Sequence, residues 1–282
     1  MSAVPFVTRS TRSTLRTLRR AAGRARGTLH RTLSAVGVRQ SEAKISSDSQ
    51  RYWSETDGGR WKSDSHWRNA DVFADNDIWS RIGQRHLEMV ERGARMVGFS
   101  GTWRRILEWG CGGGSNAVQF APRAAEFIGV DVVDDSLDEC AKQVAAVCDT
   151  PFIPILIDVA EPEKAVAAVG APCEVFLCCY VFELIPTQEY GERLLRIAAQ
   201  LLSPDGLALI QIKYDEGRWA TKPRRRAYRS GLADMTTYPI AAFWQLAVSC
   251  GLTPRYVELV PRDELDERYA YFLLTRTAQR GT

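Results

Sequence analysis

No stretch of this 282-residue chain approaches the roughly 18 uninterrupted apolar residues of a membrane-crossing helix, which excludes an integral helical membrane protein. The opening residues hold no apolar run of the kind that begins a secretory signal, so none is expected. Seven cysteines (Cys111, Cys140, Cys148, Cys173, Cys178, Cys179, Cys250) form no C-x-x-C pair. Only His30, His66 and His86 stand beside them, so no metal site is expected. An odd cysteine count in an otherwise ordinary chain fits a reducing, cytoplasmic setting. No internal repeat is visible. Hydrophobic residues make up 45% and charged residues 25%, enough to bury the core of a large α/β domain or two small ones.

Acid is missing from the first 41 residues, which hold nine arginines. The other 28 basic residues face all 34 acidic ones, so the net charge of +3 joins a basic tail to a body of −6. Residues 1–40 read as a disordered or partly helical tail. Its Leu15, Leu18, Ala22, Leu29 and Leu33 fall near helical spacing, but Gly23 and Gly27 interrupt them. Such a tail suits an anionic membrane surface or an acidic partner, and its composition is also similar to an organelle transit peptide. An acidic body argues against nucleic acid.

Residues 41–75 read as irregular and aromatic (Tyr52, Trp53, Trp61, Trp67, Phe73). A helix is expected over Asp75–Val97, with Asp75 as N-cap and Ile78, Ile82, His86 and Met89 on one face. From residue 104 strands and helices alternate. Strands are expected at Ile106–Trp109, Phe127–Asp131, Phe152–Asp158, Val175–Tyr180, Leu207–Ile212, Arg255–Val260 and Tyr269–Thr275. Helices are expected from Ser115 and over Ser136–Val147, Pro162–Val169, Thr187–Leu202 and Ile240–Cys250. Ser203-Pro204-Asp205-Gly206 reads as a turn. Repeated strand–helix units imply an α/β fold, a mostly parallel sheet with helices on both faces.

The most informative stretch is Ile106-Leu107-Glu108-Trp109-Gly110-Cys111-Gly112-Gly113-Gly114-Ser115-Asn116. It follows a strand and opens a helix. Glycines there let the backbone turn tightly and approach a ligand, and the helix start offers free N–H groups. Nicotinamide sites use such loops too. Here, however, the sixth position of a G-x-G-x-x-G reading is Ser115. Glu108, two residues before the first glycine, would repel a pyrophosphate and suits a ligand carrying an ammonium and a sulfonium. Asp131 ends the second strand, where it can accept both ribose hydroxyl protons. Asp158 ends the third and can accept from an adenine amino group.

On these motifs the chain resembles the class I S-adenosylmethionine-dependent methyltransferases over about residues 100–280. The resemblance implies a Rossmann-like seven-stranded sheet whose last strand is antiparallel, with S-adenosyl-L-methionine as cofactor. It implies that Glu108 and the loop of Gly110, Gly112 and Gly114 hold the methionine moiety, Asp131 the ribose, and Asp158 with Val159 the adenine. Cys179 and Tyr180 would border the methyl group and its acceptor. Residues 41–100 would be a lid segment and helix, 101–282 the catalytic domain, and 214–237 an insertion beside the acceptor.

After the fourth strand comes Tyr180-Val181-Phe182-Glu183-Leu184-Ile185-Pro186. Amino-directed members acting on nucleic acid or glutamine often carry Asn/Asp-Pro-Pro-aromatic here, and this chain does not. Many small-molecule O-methyltransferases place His after the Glu, where this chain has Leu184. Candidate bases are therefore His66 and Glu183, with His86 reading as a core residue. On the acceptor side, Trp61 and Trp67 can stack on a flat or sugar-like molecule. Arg224 and Arg225, in a basic segment that also holds Arg226 and Arg229, suit an anionic one. The expected activity is methyl transfer to a hydroxyl of a small molecule, sugar or lipid-linked intermediate. N- or C-methylation of a small metabolite stays open. A nicotinamide oxidoreductase is opposed by Glu108 and Ser115.

Overall fold

Seven strands form one sheet: β1 (Arg105–Trp109), β2 (Glu126–Asp131), β3 (Phe152–Leu156), β4 (Cys173–Cys178), β5 (Leu202–Lys213), β6 (Leu252–Arg262) and β7 (Glu267–Arg276). Their order is β3-β2-β1-β4-β5-β7-β6, with β1 to β5 parallel and β7 antiparallel to both neighbours. This is the expected Rossmann-like topology. The computed structural model describes residues 25, 27–30, 32–55, 60–73, 76–99, 101–230 and 232–277. The arginines at 9, 12, 16, 19, 20, 24, 26 and 31, and with them most of the basic tail, lie outside the described residues.

The main helices are α1 (Glu42–Trp53), α2 (Arg60–Asp64), α3 (Asp77–Val97), α4 (Ala117–Phe120), α5 (Asp134–Ala145), α6 (Lys164–Val169), α7 (Gln188–Leu201) and α8 (Ile240–Ser249). Strand residues alternate between two cores, as the period of two requires. Leu107, Trp109, Phe176 and Cys178 pack with α6, α7 and α8, while Ile106, Val175 and Leu177 pack with α3, α4 and α5. Helices thus cover both faces, which explains why β4 is buried on both sides. Strand order reverses between β1 and β4. The crevice beyond their carboxyl ends is where a ligand fits in such a sheet.

Four expectations are corrected. Residues 42–53 are helical rather than irregular. Ser41 caps α1 by accepting from the Lys44 N–H, and Ile45, Ser46, Ser49, Tyr52 and Trp53 form its buried face. The helix expected from Ser115 is only the four residues of α4, followed by a 3₁₀ turn over Ala121–Arg123. Pro122 lacks the N–H that an α-helix would need there. The expected turn at 203–206 lies inside β5. Cys173 pairs with Leu202 and Val175 with Leu207, so these four residues bulge out of the ladder. Finally, α3 begins after Asn76, whose φ of +53° is left-handed and whose side chain makes no cap bond, while Asp75 lies outside the described residues.

Residues 32–40, read as part of a loose tail, are attached to the body. Gln40 N–H donates to the Arg225 carbonyl (3.2 Å), and Gln40 Oε1 accepts from Ala227 N–H (2.8 Å). Arg226 donates to the Val38 carbonyl (2.8 Å) and Ser34 Oγ to the Arg224 carbonyl.

Candidate active site

The apolar strand β1 carries one acid inward. Glu108 is 3% exposed, on the face covered by α3. Its Oε1 accepts from Asn116 Nδ2 (2.6 Å), while Oε2 has no partner. A buried carboxylate oxygen with nothing bonded to it is costly unless something arrives to meet it. Burial raises the Glu108 pKa to about 8, with the Asn116 bond opposing and Asp131 adding to the rise.

The glycine loop turns immediately above. Gly110 and Gly112 have φ of +72° and +49°, a region that penalises a β-carbon. Gly110 N–H donates to the Val130 carbonyl (2.7 Å), which ties the loop to β2. Gly114, also left-handed at +86°, packs on Cys140 of α5. Asp131, ending β2, organises the loop. Its Oδ2 accepts from Gly112 N–H (2.9 Å), and its Oδ1 accepts from Val132 N–H (2.7 Å) and Val133 N–H (3.1 Å). Three of a carboxylate's roughly four acceptor sites are thus filled, so Asp131 has room for one further strong bond, not two. Burial lifts its pKa to about 6 against the pull of those N–H groups.

Around these residues lies a cleft, partly open to solvent. Its walls include Glu108, Gly110, Gly112, Asp131, Val159, Cys179, Tyr180 and His66. Asp158 stands apart from it. Because β3 ends at Leu156, Asp158 is exposed and accepts from Ala160 N–H (2.7 Å). The Val159 N–H donates to Gln50 Oε1 of α1 (3.3 Å). That end of the cleft is walled instead by Ser49, Trp53, Ile157, Tyr190 and Tyr228. Trp53 Nε1 donates to Tyr228 Oη (2.9 Å), which holds the two rings together.

A second chamber, open to solvent, adjoins the first and shares Asp64, His66, Tyr180 and Leu184 with it. Glu183, Asp234, Asp266, Arg60, Arg224 and Arg229 also face it. Glu183 is 3% exposed, and its Oε2 has no partner. Burial pushes its pKa up to about 7, with Lys213 among the groups pulling it back. His66 sits on the boundary, its ring edge-on to Phe73 (5.3 Å) and Tyr180 (4.8 Å). Burial, helped by His86, lowers its pKa to about 4, so it is neutral near pH 7. Tyr180 holds a left-handed φ of +57°, with its N–H donating to Gln211 Oε1. Backbone held in this way at a chamber wall is a recurrent feature of functional sites.

Trp61 and Trp67 line neither chamber. Trp61 is buried and meets Trp67 edge-on (5.5 Å), and Trp67 Nε1 donates to Ser136 Oγ (3.3 Å). They tie α2 and the residues after it to α5. Arg224 lines the second chamber but is engaged by Asp234 (3.2 Å). Arg225 turns away, donating to Gln188 Oε1 (2.8 Å) and pairing with Glu189 (3.7 Å). Asn116, Tyr190 and Ser49 entered no sequence expectation as site residues, and Trp53 was read only with the other tryptophans of its segment, on the acceptor side. Asn116 was findable as a polar residue just after the loop. Ser49 was hidden because α1 read as irregular.

Residues 106–206 match the family model described as a methyltransferase domain. The fold is similar to magnesium protoporphyrin IX methyltransferase from Synechocystis PCC 6803 with bound SAM, at TM-score 0.56 and 17% identity, covering 83% of this chain and 97% of that one. It is also similar to the N-methyltransferase NodS from Bradyrhizobium japonicum WM9 in complex with S-adenosyl-L-homocysteine, at TM-score 0.55 and 14% identity, covering 82% and 98%. At such identities the likeness carries the fold. No curated protein matches the sequence.

Proposed function

We propose that this chain, a class I S-adenosylmethionine-dependent methyltransferase, methylates a hydroxyl group of a small, sugar-like polar molecule held in the second chamber, with Glu183 as the base. The observation that carries the reading is the buried Glu183 carboxylate, which lines that chamber and whose Oε2 has no partner. A general base works best with a pKa near the operating pH, and Glu183 at about 7 fits better than His66 at about 4. The chamber's charges also favour a neutral acceptor. Each of its three arginines is already paired, Arg60 with Asp64, Arg224 with Asp234 and Arg229 with Glu55, and Asp266 meets Lys213. Interleaved donors and acceptors suit hydroxyls, which do both.

The cleft fits the cofactor on this chain's own terms. Glu108 Oε2 awaits a cation, Asp131 Oδ2 has one acceptor site left, and the left-handed glycines keep the loop free of side chains. In this reading Glu108 meets the ammonium, Asp131 a ribose hydroxyl, and Trp53, Tyr190 and Val159 enclose the adenine. The bound sulfonium supplies an electrophilic methyl on a leaving group that needs no acid. The residues are left to align the acceptor, exclude water and take one proton. His66, neutral at the boundary, can accept or donate a hydrogen bond that orients the hydroxyl, and Glu183 receives its proton.

The test is transfer of labelled methyl from S-adenosylmethionine to a small-molecule extract of source cells, for wild type and Glu183→Gln. Wild-type transfer should rise as pH passes through about 7. The variant should lose on the order of a hundredfold or more together with that rising limb, while S-adenosylhomocysteine binds as before. Undiminished transfer by the variant would refute the assignment of the base.

A further inference from the structure

We propose that His86 is a positioning residue for the cofactor cleft: from the buried face of α3 it fixes the Asn116 amide, and through it the Glu108 carboxylate, for the cofactor's ammonium. His86 is fully buried and does not line the cleft. Its Nδ1 lies 2.8 Å from Asn116 Oδ1, and the other end of that amide, Nδ2, donates to Glu108 Oε1 at 2.6 Å. With Glu108 ionised, as it is when it meets an ammonium, the amide nitrogen must face it and the amide oxygen must face His86. That orientation requires the imidazole proton on Nδ1. Nε2 is then bare and takes the Tyr271 hydroxyl as donor (3.3 Å). Tyr271 Oη is 3.1 Å from Tyr180 Oη, which donates to Asp263 Oδ2 (3.2 Å), and Arg85 reaches the same oxygen (3.5 Å).

A row of polar groups thus runs from the cleft toward the surface, through a largely apolar face of the sheet. With Tyr271 donating to Nε2 and Tyr180 to Asp263, no proton is left for the contact between the two hydroxyls. What the row fixes is its inner end. Glu108 shows Oε2 to the cleft because Oε1 is held by Asn116, and Asn116 is held by His86. Burial keeps His86 uncharged, with a pKa of about 4, so one ring proton is available and its position matters. The titratable groups beside Glu108 are Asp131 on β2, Cys111 in the loop, Cys140 on α5, and Cys178 and Cys179 at the end of β4. None is a cation, so the hydrogen bond from Asn116 is what favours the ionised carboxylate.

The inference rests on Glu108 meeting the cofactor, and a double-mutant cycle separates the two claims. The readout is the calorimetric affinity of the full chain for S-adenosylhomocysteine. Glu108→Gln and His86→Leu should each weaken binding about tenfold or more, the loss attending a charged hydrogen-bonded group. The double variant should be no weaker than Glu108→Gln alone, within about twofold, because His86 acts only through Glu108. His86→Asn, whose amide can replace Nδ1, should recover most of the affinity. His86→Gln, which reaches toward Tyr271, should not. Should His86→Leu fail to fold, His86→Gln takes its place in the cycle with the same expectation. Losses that multiply in the double variant, or equal recovery by Asn and Gln, would overturn the role of His86. A Glu108→Gln variant of wild-type affinity would instead overturn the cleft assignment beneath it.

Discussion

The Ser65 carbonyl oxygen stands 2.3 Å from where a β-carbon on Gly112 would lie, and Ser65 also accepts from the Gly113 N–H at 2.8 Å. Residues 65–67 and the glycine loop are therefore in direct contact. A β-carbon on Gly113 would likewise meet Trp67 Cα at 2.5 Å. Beside the expected approach of a ligand, these glycines make room for the backbone of residues 65–67 on one side of the loop.

This contact predicts that Gly113→Ala displaces residues 65–67. Gly113 has no positive φ, so the variant tests crowding without backbone strain, at a cost of roughly 1–3 kcal/mol. Tryptic cleavage at Lys62 should accelerate about tenfold or more, with the β-sheet circular dichroism intact. Unchanged cleavage would mean that this segment is not seated on the loop.

What the sequence made legible was whatever depended on local chemistry. The apolar strands, the loop glycines and the acids at Glu108 and Asp131 follow from periodicity and residue type. The remainder depended on contacts far apart in the chain. Helix α1 hides because its buried face mixes Ser46 and Ser49 with Ile45, Tyr52 and Trp53, so apolar periodicity is faint. Trp61 and Trp67 are equally consistent with stacking on a ligand or anchoring a lid, and only packing decides. Asp158 was placed at a strand end that in fact falls two residues earlier. The partners of Arg225 and Arg226 lie on α7 and at Val38, which no local pattern announces.

Those arginines give a second prediction. Replacing Arg225 and Arg226 together with Ala should release residues 38–40 and raise tryptic cleavage after Arg39 by about tenfold, as loss of a charge-assisted contact implies. S-adenosylhomocysteine affinity should stay within about twofold. Unchanged cleavage would show that the segment is held by other contacts.

A third prediction concerns pH. Glu108 at about 8, Glu183 at about 7 and Asp131 at about 6 hold protons in the folded state that the unfolded chain releases earlier. His66 and His86, both lowered to about 4, do the reverse. The two sets oppose each other up to about pH 6.5, the ordinary histidine value. Above it only the raised carboxyls still titrate, and the folded state binds more protons, so stability falls as pH rises to about 8. The Tm of the cofactor-free protein should drop over that interval, and Glu108→Gln with Glu183→Gln should flatten the drop. A wild-type Tm that rises between pH 6.5 and 8 would contradict the two carboxyl assignments.

The most direct test of the account is the identity of the atom that receives the methyl group. Supplied with methyl-¹³C S-adenosylmethionine and a small-molecule extract of source cells, the protein should produce a new carbon resonance in the O-methyl range, on a product heavier by one methyl group. That resonance should vanish with Glu183→Gln and persist with Arg225→Ala. A resonance in the N-methyl or C-methyl range would contradict the hydroxyl acceptor and leave Glu183 without its proposed proton.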